Sequence, residues 1–213
     1  MVCLSVFLTD CLISFNPNHM QNKKSDNKQM TGASVVFEVL SYFNVKNVFG
    51  YPGGCAIPLY DEMALRLKKG NTNIRHFLTA HEQGAVHSAE GYAKSTGNVG
   101  VVFTTSGPGA TNTITGVADA FADSVPLVVI TCNVSSGLIG TNAFQEVNIC
   151  DISKSVVKKN FFVNKADDIQ QTLFEAFNVA TSGRKAPVLV DITKDALSNK
   201  CVLQDFSSFG FNG

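Results

Sequence analysis

What this 213-residue chain lacks narrows its class first. Neither charge is in excess, since 17 Lys and Arg face 17 Asp and Glu. The basic stripe of a nucleic-acid binder and a polybasic membrane contact are therefore not expected; a small neutral ligand or a partner protein suits the balance better. The six cysteines (Cys3, Cys11, Cys55, Cys132, Cys150, Cys201) include no CxxC pair. Several fall in apolar runs, where cysteine usually serves as a small buried hydrophobe, so a reducing compartment and no disulfide framework are expected. No internal repeat is visible, and no apolar run reaches the ~18 residues that a membrane span needs.

The first fifteen residues, MVCLSVFLTDCLISF, are apolar but lack a basic start and carry Asp10, which argues against a signal or transit segment. The next stretch, NPNHMQNKKSDNKQ, is polar and without periodicity. Residues 1–30 therefore read as an unstructured leader, with Met20 and Met30 as alternative starts. A folded unit is expected over 31–197, and a loose tail or the start of a linker over 198–213.

Helix and strand patterns alternate through that unit. Thr31 or Ser34 can cap a helix carrying Val35, Val36, Val39, Leu40 and Phe43 at helical spacing. Strands are expected over 45–50, 74–80, 99–105, 126–131 and 186–192, and further helices over 57–69, 82–95, 111–122 and 167–181. Such alternation implies right-handed crossovers and an α/β fold: a three-layer, open, mainly parallel sheet with helices on both faces.

Chemistry concentrates in residues 76–116. Glu82 follows the extended run Phe77-Leu78-Thr79-Ala80-His81 and opens the helical pattern Ala85, Ala89, Tyr92, Ala93. That places a carboxylate at a strand-to-helix corner, where open α/β sheets collect ligands; its plainer role is to complement a helix dipole. His81-Glu82 is not the zinc helix HExxH, because the fifth residue is Ala85, and no metal ligands are assigned. TSGPGATN lacks both the P-loop ending and the third glycine of GxGxxG, although a phosphate at the following helix start stays open. Ser106 is not a GxSxG nucleophile, since Thr104 stands two residues before it. Lys158-Lys159 reads by default as a solvated pair.

In order along the chain stand GYPGG, HEQGA with AEGYA, TSGPGATN, ADAFADSVP and IGTNAFQE. Together they resemble the N-terminal pyrimidine-binding domain of thiamine-diphosphate enzymes, and most of all the acetolactate synthase (acetohydroxyacid synthase) catalytic subunit, over about Thr31 to Leu197. The resemblance implies thiamine diphosphate as cofactor, with Glu82 bonded to pyrimidine N1′ and promoting the imino tautomer by which the cofactor activates itself. It also implies that Tyr51, Pro108 and Asn112 line the pyrimidine pocket, that Gly54, Phe144 and Gln145 face the 2-oxo acid, and that Lys158 lies near the mouth. The implied reaction is decarboxylation of pyruvate and ligation to a second pyruvate or to 2-oxobutyrate, in branched-chain amino acid biosynthesis.

The same resemblance implies Mg and FAD, a homo-oligomer or complementing catalytic chain, a possible regulatory subunit, and a cytoplasmic, plastid or mitochondrial location. Members of the family bind diphosphate and magnesium through a later GDG motif, which is absent here, so half a site, inactive alone, is expected. Cys55, Asn133, Ser135 and Asn142 depart from the usual family residues. At Asn133, one methylene shorter than glutamine, loss of a hydrogen bond is expected. A truncated oligomerisation module, or the corresponding domain of another thiamine-diphosphate decarboxylase or carboligase, stays open.

Overall fold

The computed structural model describes residues 29–209. Six strands form one wholly parallel sheet: β2 (Asn47–Gly50), β3 (Arg75–Leu78), β4 (Gly100–Thr104), β5 (Leu127–Asn133), β6 (Lys159–Val163) and β7 (Val188–Thr193). Their spatial order is β3-β2-β4-β5-β7-β6. A β1 strand (Gln29–Thr31) and a β8 strand (Lys200–Val202) make a separate antiparallel ribbon.

Helices cover both faces, as expected. On one lie α1 (Gly32–Tyr42), α2 (Ile57–Lys68), α7 (Ile169–Thr181) and α8 (Lys194–Ser198), packed through Val36, Leu40, Leu59 and Leu173 on Phe103, Ile130 and Val190. On the other lie α3 (Glu82–Thr96), α5 (Ile114–Ala122) and α6 (Ile149–Ser153), packed through Val86, Val117 and Ile149 on Val102, Val129 and Leu189. Successive strand residues point to opposite faces, so a strand such as Leu127–Asn133, buried at every position, must be apolar on both.

Local chemistry sets the helix ends. The Thr31 hydroxyl accepts from Ser34 N at 3.1 Å and opens α1, while Gly97, at φ 76°, closes α3. The helix expected over 111–122 is two: α4 (Pro108–Thr111) and α5, parted at Asn112 and Thr113.

Three expectations need correction or limits. Lys159–Val163, read as carrying an ordinary lysine pair, is an edge strand; it is half exposed, so it lacks the continuous apolar run of its neighbours. The tail expected to be loose from residue 198 is partly anchored. Lys200–Val202 pairs with β1, and Phe206 stacks on Tyr42 with centroids 4.8 Å apart. Of the expected leader, residues 1–28 lie outside the described residues, as do 210–213 of the tail. Among the described residues no helix is long and apolar enough to cross a membrane.

Candidate active site

The strand order creates the site. From β2 the chain leaves towards α2 on one face and returns as β3, whereas from β4, on the other side of β2, it leaves towards α5 on the opposite face. Loops diverging from adjacent strands open a crevice at their carboxyl ends, the topological switch point of an open α/β sheet. Residues 51–56 follow β2 and residues 105–107 follow β4.

Glycines let these loops lie against each other. A β-carbon on Gly53 would fall 2.4 Å from Thr105 Cγ2, so any larger residue would force the loops apart. Cys55 N donates to Thr105 Oγ1 at 3.2 Å, Ser106 Oγ donates to Cys55 Sγ at 3.3 Å, and Tyr51 N donates to the Phe103 carbonyl at 3.3 Å. The cysteine that departs from the family's residue is thereby built into the contact. Gly54 opens onto free space.

Glu82 is the first residue of α3, behind the His81 cap, and only 8 % exposed. Its Oε2 accepts from Asn112 Nδ2 at 3.0 Å. Its Oε1 faces Gly109, where an added β-carbon would stand 3.3 Å from it and 2.6 Å from Thr105 Cγ2. The position is electrostatically favourable, because the amino end of a helix attracts a carboxylate. Asn112 reaches Glu82 because the chain breaks between α4 and α5; Pro108, the first residue of α4, starts that short turn.

Behind the carboxylate stands a pair that the sequence did not reveal. Tyr60 Oη lies 3.2 Å from His76 Nε2. Burial, then the charges of Cys132 and Glu82, push the Tyr60 phenol well above its ordinary range, and burial lowers the His76 imidazole. Both are therefore neutral near pH 7, and the phenol can donate to the ring nitrogen. Tyr60 lies on α2 and His76 on β3, so the packing of that helix on the sheet brings the two together.

The loop after β5 supplies the remaining wall. A β-carbon on Gly107, at φ 55°, would lie 2.8 Å from the Gln145 carbonyl oxygen, which places Gln145 directly on the glycine loop. Phe144 beside it is 88 % exposed. The Glu146 carboxylate accepts from Gly140 N and from Ala143 N. These backbone donors, Gly140 first, hold its acid below the ordinary carboxylate range and fix the turn that presents Phe144. Asn142 takes φ 56° in that turn, a left-handed conformation that asparagine tolerates better than most residues.

Asn133, where loss of a hydrogen bond was expected, bonds within the chain: its amide donates to Asp191 Oδ2 at 2.7 Å and to the Val147 carbonyl at 3.3 Å, while its oxygen accepts from Val134 N at 2.8 Å. Thr131 Oγ1 donates to the other Asp191 oxygen at 2.6 Å, and burial pushes the Asp191 carboxyl up to about 6 against these hydrogen bonds. Asp191 and Asn133 line a cleft of about 450 Å³ together with Phe162 and Val147. Lys158, expected near the mouth, is not brought to Glu82 within this chain. It immediately precedes β6, so it lies at the amino ends of the strands, and its Nζ donates to the Ser182 and Arg184 carbonyls. Tyr51, Gly54, Glu82, Pro108, Asn112, Phe144 and Gln145 all lie in segments at the carboxyl ends.

Comparison with known proteins agrees with this geometry. The family described as thiamine pyrophosphate enzyme, N-terminal TPP binding domain, matches residues 30–153. The chain is 52% identical over 168 residues to an acetolactate synthase large subunit of Corynebacterium glutamicum, covering 79% of this chain and 26% of that one. It is 51% identical over 171 residues to the isozyme 3 large subunit of Escherichia coli, covering 80% and 29%. With an acetolactate synthase of Arthrospira platensis it shares 47% over 176 residues, covering 83% and 30%. The matched part is thus about a third or less of each relative. By its motifs, its parallel sheet and this match, the chain belongs to the family of N-terminal TPP-binding domains of thiamine pyrophosphate enzymes.

Proposed function

We propose that these residues form the pyrimidine-binding half of an acetolactate synthase active site, with Glu82 as the catalytic acid–base group. The observation that carries the reading is the buried Glu82, held through one oxygen by Asn112 while the other faces the glycine-lined wall at Gly109. That surface suits a flat heterocycle. Gly53 and Gly109 let the surrounding segments close on Thr105, Gly54 leaves the space beside it open, and the carboxylate offers one oriented acceptor.

When bound, thiamine diphosphate supplies a thiazolium carbon acid and an aminopyrimidine that assists its ionisation. The chain's part is to orient the ring and to hold or return a proton at N1′ through Glu82, in a setting from which water is largely excluded. Tyr51, Pro108 and Asn112 are assigned to the ring, and Gly54, Phe144 and Gln145 to the 2-oxo acids pyruvate and 2-oxobutyrate. Diphosphate, Mg and FAD are assigned to residues outside these 213, so the chain alone is inactive. The exposed Tyr51, Leu78, Leu138 and Phe144 favour a second chain, like or complementary, seated over the crevice; a regulatory subunit and a cytoplasmic or organellar location are carried over from the family resemblance alone.

The deciding experiment grafts residues 30–197 into the Corynebacterium glutamicum large subunit and measures deuterium exchange at the thiazolium carbon. Glu82→Gln is expected to slow exchange by about 10²–10⁴-fold. Unchanged exchange would remove Glu82 from its role, and acetolactate formation by the 213-residue chain alone would refute the half-site.

A further inference from the structure

A second group of functional side chains lies further along the helix that Glu82 opens. His87 and Glu90 are three apart on α3 and so share one face, about 8 and 12 Å beyond Glu82 at the helical rise per residue. Asp119 meets them from α5. The two helices approach closely because Gly116 has no side chain; a β-carbon there would stand 2.8 Å from Val86.

His87 Nδ1 lies 3.3 Å from Glu90 Oε2 and 3.6 Å from Asp119 Oδ2, and the three donor atoms all fall within 4.8 Å of one another. In a tetrahedral site with metal–ligand bonds of 2.0–2.2 Å, adjacent donors are about 3.3–3.6 Å apart. Two of the three separations therefore match the ion's requirement before it arrives. Glu90 contributes a carboxylate whose side chain is only 4 % exposed, while His87 at 39 % and Asp119 at 51 % leave a path from solvent. The surroundings attract a cation. Among the described residues, Lys94 is the ammonium paired with Glu90 and Asp123, 2.8 Å from Glu90 Oε1 and 2.6 Å from Asp123, and no lysine or arginine pairs with Asp119. Glu90 thus has its second oxygen facing the imidazole.

We propose that His87, Glu90 and Asp119 bind a divalent transition-metal ion of the zinc type, with water completing the coordination. An imidazole among oxygen donors selects zinc or cobalt over magnesium or calcium, which prefer oxygen alone. The ion would bolt α3 to α5 and so fix the spacing between the helix that starts at Glu82 and the one that follows Asn112. The site is independent of the thiamine reading.

The test is a titration of the 213-residue chain with Co²⁺ at pH 7, followed by visible absorption, with Zn²⁺ as competitor. The expected result is the intense visible absorption of low-coordinate cobalt, lost on adding Zn²⁺, with roughly tenfold or weaker binding in His87→Gln and Asp119→Asn. Both residues are solvent-accessible, and circular dichroism checks that each variant folds, either one sufficing. No visible band, a band unchanged in the folded variants, or a strong near-ultraviolet sulfur-to-cobalt band assigning the metal to cysteines would each overturn the proposal.

Discussion

Asn112 Nδ2 donates to Glu82 Oε2 across 3.0 Å, linking the end of one short helical turn to the first residue of α3. A buried carboxylate oxygen deprived of its donor loses about 1–3 kcal/mol. Asn112→Ala should therefore lower the urea midpoint of the chain. Asn112→Asp, which sets a second carboxylate against the first, should lower it further at pH 7 than at pH 4. Equal midpoints for wild type and Asn112→Ala would show that this bond does not hold Glu82 in place.

Asp191 makes a pH-dependent prediction. Its folded-state value of about 6 exceeds the ordinary 3.8, so between those limits the native chain binds the proton more tightly than the unfolded chain. Stability from this group is present below about pH 4, falls as pH rises towards 6, and is flat above. The span is worth roughly 3 kcal/mol. Wild type should lose stability relative to Asp191→Asn between pH 4.5 and 7, which paired urea titrations would measure. A parallel pH dependence in the two proteins would contradict the assignment.

Gly107 combines φ 55° with the Gln145 backbone where a β-carbon would go. Gly107→Ala should cost about 1–3 kcal/mol through conformational strain and displace Gln145. Thermal unfolding would read the first effect. Chemical-shift changes confined to 140–147 and 105–112 would read the second.

The aromatic anchor of the tail can be tested separately. Phe206 stacks on Tyr42 and also meets Phe174, with centroids 5.6 Å apart. Phe206→Ala should cost roughly 1–3 kcal/mol and speed amide exchange at Cys201, whose strand partner is Met30. Exchange in β5 should slow or quicken only with global stability.

Glu82 was legible because two local signals meet there, an extended run and the start of a helical period, and because HEQGA is followed by a second distinctive loop. The glycine loops were legible for the same reason: their conformations are decided within a few residues. Asp191 was not, since in the strand Val-Leu-Val-Asp-Ile-Thr its partners lie 60 and 58 residues away, at Thr131 and Asn133. Only the register of β5 against β7 brings them together. The place of Lys158 was hidden by a related gap. Whether a residue sits at the amino or carboxyl edge of a sheet depends on recognising the strand it precedes, and Lys159–Val163 carries too little apolar periodicity to announce itself. Short β1 and β8 were missed because each is explained only by the other.

The ribbon joining Gln29–Thr31 to Lys200–Val202 gives the fold a property of its own. Gln29 and Val202 stand side by side there, and the chain then runs on over α1 and α7, with Phe206 on Tyr42 and Phe209 on Phe174, as a strap passes through a buckle and is laid flat. A pull on the carboxyl-terminal end therefore peels these rings from the helices before it loads the ribbon, and the sheet behind is reached last.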